Sequence, residues 1–304
     1  MARPAGAFPV VLSPSDLNII GMDESAPSPP GSTPPDSAST GSAPIDRHMQ
    51  DRVHALWDTL ADFEAAHVEE ARNHLLSGVC GLIGAQNAVW IGAVRLGDPQ
   101  PEDPVKGWRP RAVRRLHPTP LIERKAKEQA DMLDAGVVDV TVFRNVELSG
   151  QYRVNRLVEL APENWFEGDY YRTFYLGAGY RDAIWVGIPI NEDAETYFGF
   201  YRNLGQEPFG TAERDIVAYA LRSLRWFYRL QMLGEGLGVA SAPLTPTERR
   251  ILQGLLQGVT EKQIAAAVGQ SPHTAHGHVK RIFRKYGVSS RNALMALWLG
   301  RPPP

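Results

Sequence analysis

The residues best placed to do chemistry lie between Pro272 and Tyr286, where PHTAHGHVKRIFRKY interleaves histidines and cations with small apolar residues. At helical spacing His273, His276, Gly277, Lys280 and Arg284 project together, with Thr274, His278, Arg281 and Lys285 along the flank, and that face is expected to carry no acid at all. Such a surface offers hydrogen-bond donors and positive charge: Lys280 suits guanine acceptors in a major groove, and Arg281, Arg284 and Lys285 suit phosphates. Ala275, Val279, Ile282 and Tyr286 form the opposite, apolar stripe and are expected to pack on Ile251, Leu255, Ile264 and Val268. Gly277 weakens the helix by about 0.5–1 kcal/mol relative to alanine, and its missing side chain permits close approach to a partner.

The elements that position this face are signed in the chain. Thr245, Pro246 and Glu248 form a capping box with a first-turn proline, Thr260 and Gln263 form a second box, and Ser271 with Pro272 forms a third cap. Gly258, Gly269 and Gly287 stand where the helices must stop. Four helices follow, at about 246–256, 261–268, 272–286 and 290–299, the second and third forming a helix-turn-helix.

With Leu244-Thr245, Glu248, Ile251-Leu252, Gly258, Lys262, Ile264-Ala265, Ser271, Thr274, His278, Ile282, Lys285, Gly287-Val288 and Arg291 in place, the segment resembles the LuxR/GerE family of helix-turn-helix domains. The resemblance implies that His276, Gly277 and Lys280 read bases while Lys262, Thr274 and His278 touch the DNA backbone. It also implies a bacterial transcription regulator. Gln270 in place of an apolar residue, Ala275 in place of valine and His276 in place of lysine depart from the family's pattern and leave the operator sequence open.

The remainder is the setting for this head. A length of 304 residues and 43% hydrophobic content suit two folded units. The net charge of −2 is divided unevenly: from Pro243 onward Arg249, Arg250, Lys262, Lys280, Arg281, Arg284, Lys285, Arg291 and Arg301 face only Glu248 and Glu261, a basic module on an acidic body. Residues 1–48 read as a disordered Pro/Ser-rich tail. Residues 49–234 read as a sensor: an amphipathic helix or helix pair over 50–83, strands over 88–96 and 108–116, a helix over 120–133, a hairpin of 183–190 with 196–204, and one long helix over 211–233. This order resembles GAF- and PAS-type folds, an antiparallel sheet with helices on one face. Residues 235–242 read as a Gly-rich linker and 243–304 as the reading head, so the fold class expected is α+β followed by an all-α helix-turn-helix domain.

Other chemistries find less support. Cys80 stands alone, which excludes an intrachain disulfide and a cysteine-built zinc site, and its apolar flanks Val79 and Leu82 read as core. Of His273, His276 and His278 only the first two share a face, with neither cysteine nor carboxylate beside them, so no metal and no cofactor is expected. Neither GxxxxGK[ST] nor GxSxG occurs, and the expectation is a protein that is not an enzyme. Trp90, Trp165, Tyr171, Tyr175 and Trp185 are the candidate lining of a ligand pocket, equally readable as core. No stretch approaches the roughly 20 apolar residues of a membrane span, and a cytoplasmic protein is expected. The function expected is sequence-specific regulation of transcription on double-stranded DNA, modulated by a small ligand or a partner. RNA polymerase is a candidate partner, and a homodimer should form through Leu294, Leu297 and Trp298. The alternatives are an acyl-lactone receptor using Trp165, Tyr170, Tyr171, Asp182 and Trp185, an enzyme with an appended regulatory head, and an interaction module with a degenerate helix-turn-helix.

Overall fold

The computed structural model describes residues 45–96, 102–237 and 243–301. The expected tail up to residue 44 lies outside the described residues; Arg47 and His48, assigned to it from composition, already belong to α1 (Arg47–Ala61), whose N-cap Asp46 accepts from Met49 N. There follow α2 (Val68–Ile83), β1 (Asn87–Arg95), β2 (Trp108–Arg115), α3 (Pro120–Asp134), α4 (Val140–Glu147), β3 (Arg153–Arg156), the single turn α5 (Leu157–Leu160), a run of short turns, β4 (Tyr180–Asn191) and β5 (Ala194–Asn203). The strands form one antiparallel sheet in the order β2-β1-β5-β4-β3.

Alternation along each strand sends side chains to two different layers. Ala88 and Trp90 of β1, Ile184 and Val186 of β4, and Phe198 and Phe200 of β5 pack with Val53, Leu56 and Leu60 of α1 and Leu75, Leu76 and Val79 of α2. The residues between them, such as Ala93, Ala183 and Tyr197, meet Val140, Val146 and the aromatic turns on the other side. Helices therefore cover both faces of the sheet, where one covered face was expected. The mixed helix and antiparallel-sheet class stands.

The long helix expected over 211–233 is two helices, α6 (Thr211–Arg222) and α7 (Arg225–Glu235), interrupted at Leu224. Carbonyls in the last turns of α6, beside the break, accept from side-chain donors. Tyr152 Oη donates to Ala218 O at 2.7 Å, Trp57 Nε1 to Ala220 O at 2.8 Å and Tyr228 Oη to Leu221 O at 2.6 Å. The apolar stripe continues through the break, which is why periodicity alone reads it as one helix.

The C-terminal helices are α8 (Pro246–Leu256), α9 (Glu261–Ala267), α10 (Pro272–Tyr286) and α11 (Arg291–Trp298), each capped as its sequence demands. Leu294 and Leu297 are buried in this domain's core, so the face expected to mediate dimerisation is instead internal, and Met295 and Leu299 are the exposed apolar residues there.

The joint between the two domains is a packed contact. Leu230 and Leu233 of α7 pack into the C-terminal core, and the Tyr286 hydroxyl donates to Leu233 O. Glu235 and Leu237, read from sequence as linker, are buried; Leu237 belongs to the sensor core. The Glu235 carboxylate meets Arg72 Nη1 of α2 at 3.5 Å, Arg249 Nη1 of α8 at 3.3 Å, and the Arg114 guanidinium of β2. Arg72 is nearly fully buried, with its guanidinium carbon 5.2 Å from the centre of the Trp90 ring, and burial, opposed by Glu235, pushes it down to about 10. It therefore remains charged at neutral pH.

Removing the acid from this joint takes away the buried counter-charge of Arg72 and leaves it only the exposed Glu69 carboxylate at 3.6 Å. Glu235→Ala should lower the unfolding free energy by about 3–5 kcal/mol in urea titration. A loss below about 1 kcal/mol, the scale of an exposed pair, would contradict this account of the joint.

Candidate nucleic-acid interface and sensor cavity

Ser271 caps α10 by accepting from Thr274 N at 3.1 Å, and Gly287 (φ 66°) ends it in the left-handed conformation that glycine adopts without a Cβ penalty. Ala275, Val279, Ile282 and Tyr286 are all buried and anchor the helix against α8 and α9. His273, Thr274, His276, Lys280, Arg281 and Arg284 are exposed on the remaining surface, and Lys262 stands exposed on α9. A Cβ built on Gly277 would meet nothing within 4 Å, so the space above it is open to a partner.

The structure separates the cations of this face by what already holds them. Lys280, Arg284 and Lys262 have no hydrogen-bond or ion-pair partner among the described residues. Lys285, expected at the DNA backbone, is turned inward instead: its Nζ donates to Glu248 at 2.8 Å and to Pro243 O at 2.7 Å. That tie holds the start of α8 to the end of α10. Arg281 donates to His278 Nδ1 at 2.7 Å and lies 3.8 Å from the Glu248 carboxylate. Burial and the Arg281 charge lower the His278 imidazole below its ordinary value, with Glu248 opposing them. The face is also not free of acid: Glu261, the first residue of α9, places Oε2 2.9 Å from His276 Nδ1. Spacing along α10 alone could not show this, because the carboxylate arrives from the neighbouring helix.

The second site is a cavity of about 440 Å³ between the sheet and α3, a size ordinary for a small ligand. Val89 and Ile91 of β1, Val113 of β2, Ile122 and Leu133 of α3 and Val142 of α4 form its apolar walls. α3 buries none of its residues fully because its apolar side looks into this space. Tyr170, Tyr175 and Tyr201 bring hydroxyls to the cavity, each pushed up by burial; Gln129 Nε2 donates to Tyr170 Oη at 3.0 Å and Trp185 Nε1 to Tyr175 Oη at 3.2 Å.

Of the aromatic residues expected to line a pocket, Tyr175 and Trp185 do so. Trp165 and Tyr171 lie behind the wall, the indole donating to Asp139 Oδ2 at 2.8 Å and the phenol to Arg181 O at 2.7 Å. Trp90 faces the opposite side of the sheet, beneath Arg72. Asp182 is away from the cavity and accepts from Phe209 N at 2.7 Å and Ala183 N at 2.8 Å. Asp139, not among the residues expected at a pocket, lines the cavity; it caps α4 and accepts from Thr141 N at 2.9 Å. Its position one residue before the apolar-rich VTVF helix is the signal that marks it as a cap.

Residues 242–297 match the family of bacterial regulatory proteins, luxR family. The C-terminal domain is a luxR-family helix-turn-helix domain. Over 48 residues it is 46% identical to the transcriptional regulatory protein UhpA of Escherichia coli (strain K12), covering 16% of this chain and 24% of that protein. Over 62 residues it is 34% identical to the probable HTH-type transcriptional regulator GfsR of Streptomyces halstedii, covering 20% and 26%. The chain thus spans about a quarter of the length of the curated relatives it matches. Among solved structures, SdiA in complex with octanoyl-rac-glycerol aligns over 84% of this chain and 96% of that one, with a TM-score of 0.42 and 14% identity. The VqsR LBD domain from Pseudomonas aeruginosa aligns over 62% and 98%, with a TM-score of 0.38 and 12% identity.

The luxR-family head should respond differently to loss of each cation. Lys280→Ala should cost about 1–3 kcal/mol of DNA affinity and relax preference at one base pair. Arg284→Ala should weaken all sequences alike and lower the salt slope of log affinity by about 0.9. Lys285→Ala should leave that slope unchanged and lower the melting temperature, because its partners lie within the protein. Binding of the full chain to a selected and a scrambled duplex over a salt series checks all three; equal, sequence-independent losses would overturn the division.

Proposed function

We propose that the chain is a sequence-specific DNA-binding transcription regulator whose N-terminal domain, acting as a sensor of the GAF/PAS kind, modulates DNA binding through a small ligand in its cavity. The observation that carries the reading is the exposed cationic and histidine-bearing face of α10, held outward by a fully capped helix-turn-helix. A helix of this width fits a major groove, with its N-terminal residues at base edges and flanking cations on phosphates. No catalytic step is required of the chain. Among the described residues no helix is long and apolar enough to cross a membrane and no group of His, Cys, Asp and Glu could hold a metal ion. The reading places the protein in the cytoplasm, acting as a homodimer on two half-sites, with RNA polymerase as the machinery it influences.

The route from ligand to DNA runs through β2. Val113 and Arg115 face the cavity, whereas Arg114 between them projects from the other side of the strand onto Glu235, which also holds Arg249 of α8. A ligand that shifts β2 therefore acts on the joint with the reading head. The coupling is the difference in ligand affinity between the two arrangements of that joint. The acyl-lactone alternative keeps Tyr170 and Trp185 on the cavity wall, whereas Trp165, Tyr171 and Asp182 are occupied elsewhere, as described above.

Selection of genomic fragments on the full chain, followed by footprinting, tests the reading. The expected result is a site bound at least about 10³-fold tighter than scrambled DNA, with half-sites about one helical turn apart. Binding without sequence discrimination would refute it. For the cavity, an apolar extract of the producing cells should change affinity for the selected site by at least about fivefold. Val113→Trp, which fills the cavity, should abolish that response while leaving ligand-free binding intact; a response that persists would remove the cavity from the mechanism.

A further inference from the structure

His276 and His278 stand two residues apart on α10, and their neighbours polarise them in opposite senses. An ionised carboxylate can only accept and a guanidinium can only donate. The 2.9 Å contact from His276 Nδ1 to Glu261 Oε2 therefore places a proton on Nδ1, and the neutral ring presents Nε2 as a lone pair. The 2.7 Å contact from Arg281 Nη2 to His278 Nδ1 makes that Nδ1 an acceptor, so the neutral His278 ring presents Nε2–H as a donor.

His276 is the fifth residue of α10, one turn ahead of Lys280, and both are exposed on the face opposite the buried stripe. The imidazole and the Glu261 side chain keep 49% and 42% of their surface accessible, so the pair lies open at the surface that would meet DNA. In a major groove the exposed amino groups are N6 of adenine and N4 of cytosine, whereas guanine and the thymine carbonyl offer acceptors. An acceptor at His276 Nε2 selects the first pair and is repelled by the second.

We propose that His276 is a specificity-determining residue that accepts a hydrogen bond through Nε2 from the exocyclic amino group of an adenine or cytosine, and that Glu261 is the positioning residue that holds the ring in this tautomer. The inference rests on the DNA-binding reading of α10. It assigns adjacent positions contrasting tasks: His276 takes a hydrogen from a base, and Lys280 gives one to a base. His278, as a neutral donor, suits a phosphate oxygen.

The experiment uses the full chain and its selected duplex at pH 8. Each adenine in turn is replaced by purine and each cytosine by pyrimidin-2-one, which removes the amino group; every duplex is measured with the wild type, His276→Ala and Glu261→Ala. At one position the analogue should weaken wild-type binding about tenfold and weaken His276→Ala binding less than about twofold. Glu261→Ala should keep the wild-type melting temperature, lose discrimination at that same position, and show in its imidazole nitrogen spectra that Nδ1 of His276 has given up its proton. Coupling of His276 to a guanine or thymine acceptor, or no coupled position while the duplex is still bound selectively, would overturn the proposal and leave the regulator reading standing. Failure of the full chain to bind any duplex selectively would overturn both.

Discussion

The arrangement depends on one buried carboxylate. Glu235 ends α7, the last sensor helix, and holds charges from three separate elements: Arg72 of α2, Arg114 of β2 and Arg249 of α8. An acid this enclosed is stable only while its counter-charges remain; Arg72 and Arg114 hold it within the sensor, and Arg249 is the one that ties it to the reading head. Leu244 N, donating to Glu235 O at 3.1 Å, and the burial of Leu233 in the C-terminal core add a short-range fit to this electrostatic tie. The orientation of α10 relative to the sensor sheet is consequently a property of packed side chains as well as of the connecting chain.

On the reading head the same rule sorts the cations. Arg291 donates to the carbonyls of Gly254, Leu255 and Val259, closing the end of α8, and Lys285 closes its start through Glu248 and Pro243. Both are consumed in making a small domain rigid. Lys262, Lys280 and Arg284 remain outside that network and supply the charge available to a nucleic acid. A rigid scaffold carrying a few unpaired cations suits recognition, because the helices are already ordered when the partner arrives and only those few side chains lose freedom.

The helices of the head and the faces of α10 were legible because their signals are local, whereas the short α11 was read with Leu294 and Leu297 outward although both are buried. Thr245 with Glu248, Thr260 with Gln263 and Ser271 with Thr274 cap their helices within four residues, and the spacing of Ala275, Val279, Ile282 and Tyr286 sorts the faces of α10. What crossed between elements was not legible. Nothing in the sequence brings Glu261 to His276, turns Lys285 toward Glu248 or gathers three arginines on Glu235. The sensor strands hid their sidedness for a different reason. β1 is buried on both faces over Asn87–Trp90, so AVWI reads as a continuous apolar run in which period two is invisible, and the run alone does not tell whether Trp90 lines the cavity or, as found, packs in the core on the other side of the sheet. The break at Leu224 escaped notice because the donors beside it, Trp57 and Tyr152, come from far along the chain.

The central claim is that the exposed face of α10 lies against base edges, and the open space above Gly277 makes it directly measurable. Gly277→Cys introduces a thiol where a Cβ meets no neighbour within 4 Å, and Cys80 is buried, so a photoactivatable crosslinker can be attached at position 277 selectively. Irradiation of the full chain on its selected duplex should yield crosslinks to bases, confined to about one or two adjacent steps of the major groove. DNA that is bound but yields no crosslink from position 277, while the same reagent on the exposed sensor position Trp226→Cys does crosslink, would contradict the account.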